Sequence, residues 1–474
     1  MNKPIARLFT LVLLMFAALV AYTSRWTVFD ASTLQNNALN RRALIESRDI
    51  PRGPIYGANG AELAYSQRQS DGSYARRYPF GSLFGQPLGY SIPDQGRAAG
   101  LEAYRDSALA GTPLEHQSIV DQLEGRQLGG ATVYTTLDPT AQEVAMSDLQ
   151  KTHLEGAVVA MVPSTGAITV FASDPSYDPN AVVAGQTVPD QFDQVAQGAP
   201  GEPPGSAQKV VTAIAAIDSG RFMPSSVVNG NSPQSFYGIP LHNDGDTSYG
   251  PVTLTYALTN SINTAWANVA NDLGPALLQK YMLRLGYYHD PPIDLPKSEL
   301  TPSGAVYNGH FALPTSGNVD VPLIGIGEGQ LYVTPLQMLM VAAAVANHGV
   351  LMRPHITDRV VNADGVTVQK IQPAVYSVVM KPSTAATVTA MMEQVVKDGT
   401  AEQALAGFSI TVAGKTGTAE LANTPNSAND AWFIAFAPYR DIAVAVVVDH
   451  TYDYGADAAA PIARDVIQSL VGSG

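Results

Sequence analysis

The sequence predicts an α/β (α+β) protein with an antiparallel sheet flanked by helices, a smaller module ahead of it, and one apolar N-terminal helix. Three observations predict this. Strand-like runs fall both early and late in the C-terminal two-thirds, with apolar helical segments between them, so both ends of that segment complete one sheet. A polar stretch of short strands and turns, about Phe29 to Gly130, precedes it. The run LFTLVLLMFAALVAYTS, Leu8 to Ser24, is uncharged and flanked by Lys3, Arg7 and Arg25. The expected division is 1–28 (N-terminal tip and membrane anchor), 29–150 (smaller module) and 151–474 (main domain).

As a helix, Leu8 to Ser24 reaches about 26 Å, at the short limit for a hydrocarbon core of about 30 Å. Ile5 and Trp26 extend it, Lys3 and Arg7 snorkel, and Tyr22 and Trp26 suit an interfacial belt. No Ala-x-Ala cleavage site follows, which favours an uncleaved signal anchor over a cleaved signal peptide. With the leading cations held inside, the remainder is expected outside the cytoplasm, as a single-pass cell-membrane protein. The apolar run Ile442 to Val448 is too short to span and reads as a buried strand.

In the smaller module, Arg48 to Ala64 reads as an extended piece, a Gly-rich turn and a strand. Gly89 to Gly111 reads as a loop and then a helix from about Ala98, with Gly111 beyond its end. Thr132 to Thr136 alternates as a strand, and Asp138 caps a following helix. Ala157–Val162 and Ala167–Ala172 form two strands joined by Pro-Ser-Thr-Gly. Lys209 to Ile217 is an apolar helix, Ser409–Ala413, Trp432–Ala437 and Ile442–Val448 are strands, and Ala458–Val471 is a closing helix.

Composition narrows the function. Lys plus Arg is 27 and Asp plus Glu is 41, a net charge of −14, with no basic run to meet phosphates, so no nucleic-acid partner is expected. There is no cysteine, which removes disulfides and thiolate chemistry, and the eight histidines show no metal-ligand spacing, so neither a metal nor a cofactor is expected.

Three short stretches carry chemistry. In PPGSAQK, Pro203 to Lys209, Ser206 opens the apolar helix and Lys209 follows three residues on, on the same face. A serine is a weak nucleophile without a base beside it, and a lysine serves only if apolar surroundings or a second cation lower its pKa. Alone, Ser-x-x-Lys more often marks a capping serine and a solvated lysine. The second stretch is Ser261-Ile262-Asn263, whose hydroxyl and amide reach one point if they sit on a loop. The third is Lys415-Thr416-Gly417-Thr418, where Gly417 admits a substrate backbone to a strand edge and Lys415 binds a carboxylate or pairs with Ser261. No P-loop glycines precede it.

Ser-x-x-Lys, Ser-x-Asn and Lys-Thr-Gly, in this order, are the set of penicillin-binding proteins and class A β-lactamases. With GIGEGQLYVTPLQMLMVAAAVANHGV and DAWFIAFAP, the chain resembles a class B penicillin-binding protein, most like the short actinobacterial cell-division type. Arg52-Gly53-Pro54-Ile55 and Gly100-Leu101-Glu102 resemble that family's N-terminal pedestal. Two departures stand out: Ala207-Gln208 where members commonly carry Thr-Phe, and Ile262 where an Asp is common.

The resemblance implies a serine β-lactamase/transpeptidase-like fold and a D,D-transpeptidase that cross-links peptidoglycan stem peptides ending in D-Ala-D-Ala and is inhibited by penicillin and other β-lactams. It implies Ser206 as nucleophile, Lys209 as base, and Ser261 as proton relay between Lys209 and Lys415. Asn263 would hold the peptide amide, and Lys415, Thr416 and Thr418 the terminal carboxylate beside Gly417. The backbone N–H groups of Ser206 and Thr418 would form the oxyanion hole. Partners implied are the membrane, a separate glycan polymerase and division proteins. Two alternatives stay open: a D,D-carboxypeptidase or β-lactamase-type hydrolase, told apart by acyl-enzyme lifetime, and a non-enzymatic penicillin sensor or division scaffold, told apart by complementation with an active-site mutant.

Overall fold

In the computed structural model, the described residues are 3–25, 47–111, 129–188, 192–198, 202–420 and 428–472. Trp26, expected at a membrane interface, lies outside them. Lys3–Ser24 is one helix (α1), long and apolar enough to cross a membrane, and none of it is buried against the rest of the chain.

The centre is a five-stranded antiparallel sheet. Its strands are β1 (Gly156–Val162), β2 (Ala167–Asp174), β3 (Ala413–Glu420), β4 (Asn429–Ala437) and β5 (Ile442–Thr451), in spatial order β3-β4-β5-β1-β2. Helices α2 (Pro139–Thr152), α3 (Lys209–Asp218), α4 (Leu254–Thr259), α5 (Asn263–Arg284), α6 (Pro335–Ala346), α7 (Pro382–Asp398) and α8 (Ala459–Gly472) surround it. α2 and α8 pack together and on the sheet, while α6 also packs on β1, β4 and β5. Layers on both faces explain why β5 reads as an unbroken apolar run, Ile442 to Val448, with no polar alternation. Asp138 caps α2 by accepting from the Thr140 and Ala141 amides at 2.9 and 3.1 Å.

The structure differs from the sequence expectations in three places. The chain crosses the expected division at residue 150 twice. α2 packs on the catalytic sheet. The hairpin Thr357–Val361 and Thr367–Lys370 instead completes a six-stranded sheet with Thr132–Thr135, Ile55–Tyr56, Glu62–Arg68 and Tyr74–Arg77. The helix expected from Ala98 is two short ones, Gly100–Tyr104 and Asp106–Leu109. They break at Arg105, whose guanidinium bonds Thr357 Oγ1 at 3.0 Å and pairs with Asp294 at 3.6 Å. The strand expected at Ser409–Ala413 begins only at Ala413 and runs to Glu420, so Lys-Thr-Gly lies inside it.

Candidate active site

The segment carrying Ser206 is a 3-10 turn, Gly205–Gln208, leading into α3. With three residues per turn, side chains at i and i+3 eclipse. Ser206 and Lys209 therefore face each other directly, and Lys209 Nζ stands 2.7 Å from Ser206 Oγ. Lys209 Nζ also donates to the Ser261 carbonyl at 2.8 Å and to Asn263 Oδ1 at 2.5 Å, and lies 3.3 Å from Ser261 Oγ. Two of these partners only accept, so two N–H bonds satisfy them. The third direction meets a hydroxyl, which lets a neutral amine accept the serine proton.

Ser261 sits in the turn between α4 and α5 with φ 56°, a left-handed conformation that aims its hydroxyl and its own carbonyl at the same amine. Its hydroxyl accepts from Lys415 Nζ at 2.9 Å. The serine thus bridges the two lysines, and the three sequence stretches meet in one place. Asn263, the first residue of α5, donates from Nδ2 to the His242 carbonyl at 3.2 Å, which fixes its amide while leaving one N–H and one lone pair. Ile262, the departure within the second stretch, is buried in the core.

Lys415 also donates to the Thr416 carbonyl at 2.8 Å, and Thr416 Oγ1 pairs with Thr400 Oγ1 at 2.6 Å. Thr418 Oγ1 accepts from the Gly455 amide at 3.2 Å. Gly417 has a different reason than expected: a Cβ there would stand 2.5 Å from the Pro204 carbonyl oxygen and 2.8 Å from Trp432 Cβ. It admits the nucleophile turn to β3. From the other side, Gly205 (φ 51°) would place a Cβ 2.6 Å from the Thr418 oxygen and 2.9 Å from its nitrogen. Both glycines allow the backbones of Ser206 and Thr418 to lie side by side. Among the described residues β3 is an edge strand, with no strand paired along its outer side.

Both lysines have 0% exposure. Burial pulls the Lys209 amine down to about 7, against opposing pulls from the Glu328 and Asp244 carboxylates. Burial, then the charge of Lys209, holds Lys415 well below the usual lysine range. Sequence reasoning missed Asp244, Thr400 and Glu328. Of these, only Glu328 carried a signal, its place between two glycines in GIGEGQ. It also left Gln208 without a partner. The side chain is buried under the nucleophile turn, where its Oε1 accepts from Tyr287 Oη at 2.7 Å. Among the described residues no group of three or more His, Cys, Asp or Glu side chains could hold a metal ion.

Comparison with known proteins agrees with this geometry. The penicillin binding protein transpeptidase domain matches residues 156–468, and the penicillin binding protein A dimerisation domain matches residues 52–133. The peptidoglycan D,D-transpeptidase PbpA of Mycolicibacterium smegmatis is 32% identical over 509 aligned residues, covering 100% of both chains. PbpA of Mycobacterium tuberculosis is 30% identical, covering 99% of each chain. The ceftriaxone acyl-enzyme complex of M. tuberculosis penicillin-binding protein A superposes with a TM-score of 0.80 at 28% identity, over 90% of this chain and 100% of that one. With the domain matched over most of its length and a full-length relative at this identity, the chain belongs to the class B penicillin-binding protein family of transpeptidases.

Proposed function

We propose that the chain is a peptidoglycan D,D-transpeptidase that works through a Ser206 acyl-enzyme and is inhibited by β-lactams. The observation that carries this is the unbroken path Ser206 Oγ, Lys209 Nζ, Ser261 Oγ, Lys415 Nζ, with steps of 2.7, 3.3 and 2.9 Å. Ser206 Oγ attacks the penultimate D-Ala carbonyl while neutral Lys209 takes its proton. The ammonium of Lys209, relayed by Ser261, returns that proton to the leaving D-Ala amine. The backbone N–H groups of Ser206 and Thr418 hold the developing oxyanion, which the Gly205–Thr418 approach supports, and one such donor is worth roughly 10²–10³ in rate. Lys415, Thr416 and Thr418 bind the terminal carboxylate beside Gly417, and Asn263 the peptide amide with its remaining N–H.

An amine of a second stem then releases the acyl group as a cross-link. The N-terminal helix anchors the catalytic part on the outer face of the cell membrane, where the substrate lies. A separate glycan polymerase and division proteins would be its partners, and the module ahead of the catalytic sheet is the surface offered to them.

The test is covalent labelling. Wild-type protein incubated with fluorescent penicillin should carry the label on the peptide containing Ser206, and Ser206→Ala should carry none. A label retained by that variant refutes the assignment.

A further inference from the structure

Aminolysis of an acyl-enzyme has a proton balance that Lys209 alone does not meet. An acceptor amine with a lysine-like pKa near 10.4 arrives as an ammonium at neutral pH. To become an amide nitrogen it loses two protons. As its nitrogen–carbon bond forms and the carbon–Ser206 Oγ bond breaks, one proton passes through Lys209 to Ser206 Oγ. The other must be removed before attack, and by a different base.

Glu328 leaves a loop whose backbone packs against the turn that carries Ser206. It follows Gly327, whose carbonyl accepts from the Gly205 amide at 3.0 Å and whose φ is 89°. A Cβ at Gly327 would lie 1.8 Å from the Gly205 oxygen, so the backbone before Glu328 touches the backbone before Ser206. The Glu328 amide is tied to the Leu323 carbonyl at 3.0 Å, which fixes where the side chain leaves the loop. The residue is half-buried, and its carboxylate accepts no hydrogen bond and forms no ion pair with any described residue. The Glu328 carboxylate feels the charge of Lys209 and that of Glu420 at the end of β3, while Lys209 also feels Asp244 and itself acts on Lys415. Burial, and secondarily Glu420, push the Glu328 carboxyl above the usual range against the pull of Lys209, which suits a group that must accept a proton and then release it.

We propose that Glu328 is the general base of the second half-reaction, taking the first proton from the acceptor ammonium and passing it to solvent after the cross-link forms. The inference rests on the transpeptidase reading and assigns that site a cationic acceptor, attracted by the interacting Glu328 and Glu420 carboxylates.

The test uses the full chain, a thioester acyl donor and Nα-acetyl-lysine amide, whose one amine is lysine-like and whose net charge is positive, as acceptor, with acceptor-dependent release divided by the rate of acyl-enzyme formation. For Glu328→Gln this ratio should fall about 100-fold or more at pH 7. It should recover towards wild type as the pH approaches the acceptor's own pKa, where the free amine no longer needs a base. Glu328→Asp, which keeps the carboxylate, should retain most of the ratio at pH 7. An unchanged ratio in Glu328→Gln, or a deficit equal at every pH, overturns the proposal. So does loss of penicillin acylation in both variants, because Glu328 would then serve folding or the first half-reaction. Failure of the wild-type protein to form a Ser206 adduct would instead sink the transpeptidase reading itself.

Discussion

Two regions of this protein bury charge, and they do so in opposite ways. In the N-terminal module Glu102 has 0% exposure and is met by two arginines: Arg52 Nη2 at 2.9 Å and Arg76 Nε at 2.5 Å. Arg52 reaches Asp106 at 2.7 Å, and Tyr78 Oη donates to Glu102 at 3.2 Å. Burial pushes the Glu102 carboxyl up, but Arg76 and Arg52 hold it below its ordinary range, so the charge stays. In the active site two lysines are buried equally deeply with a serine hydroxyl between them and no carboxylate in ion-pair contact among the described residues. There burial pulls both amines below the ordinary lysine range. Paired charge builds a rigid platform, and unpaired charge of one sign builds a base.

The comparison can be broken at several points. Lys209→Met removes the base while keeping its volume, and penicillin acylation at pH 7 should fall roughly 10²–10⁴-fold with folding intact, read by stopped-flow labelling and circular dichroism. Glu102→Ala leaves two buried guanidinium groups facing each other and should cost about 3–5 kcal/mol, read by urea denaturation. Acylation per folded molecule should then be unchanged, and a large loss would mean that the two regions are not separable. Tyr287→Phe strands the Gln208 amide oxygen beneath the nucleophile turn and should cost roughly 1–3 kcal/mol by the same measurement.

Much of the catalytic sheet was legible in the sequence because apolar strands and helices announce themselves locally. Gly156–Val162, Asn429–Ala437 and Ile442–Thr451 lie where their runs predict. β3 was misplaced because the glycines and lysine of Gly-Lys-Thr-Gly-Thr weaken its strand signal despite two threonines, and its pairing with β4 from Ala413↔Phe436 to Glu420↔Asn429 supplies what propensity does not. The hairpin at Thr357–Lys370 was invisible as part of the N-terminal sheet because its partner strand, Thr132–Thr135, is more than 200 residues away in the chain. At the site, the residues that form the pocket were legible from three motifs. The carboxylates that tune it were not, since Asp244 and Glu328 reach Lys209 only through loops that the fold brings round.

The central claim is that a buried lysine gives up its proton to activate Ser206, and the pH dependence of Ser206 acylation by penicillin tests it most directly. The neutral amine is the active form and burial lowers its pKa to about 7, so the second-order rate should fall about tenfold per unit below that pH and level off above it. A rate that keeps climbing to pH 10, as an ordinary lysine requires, or one that is flat from pH 5 to 9, would contradict it.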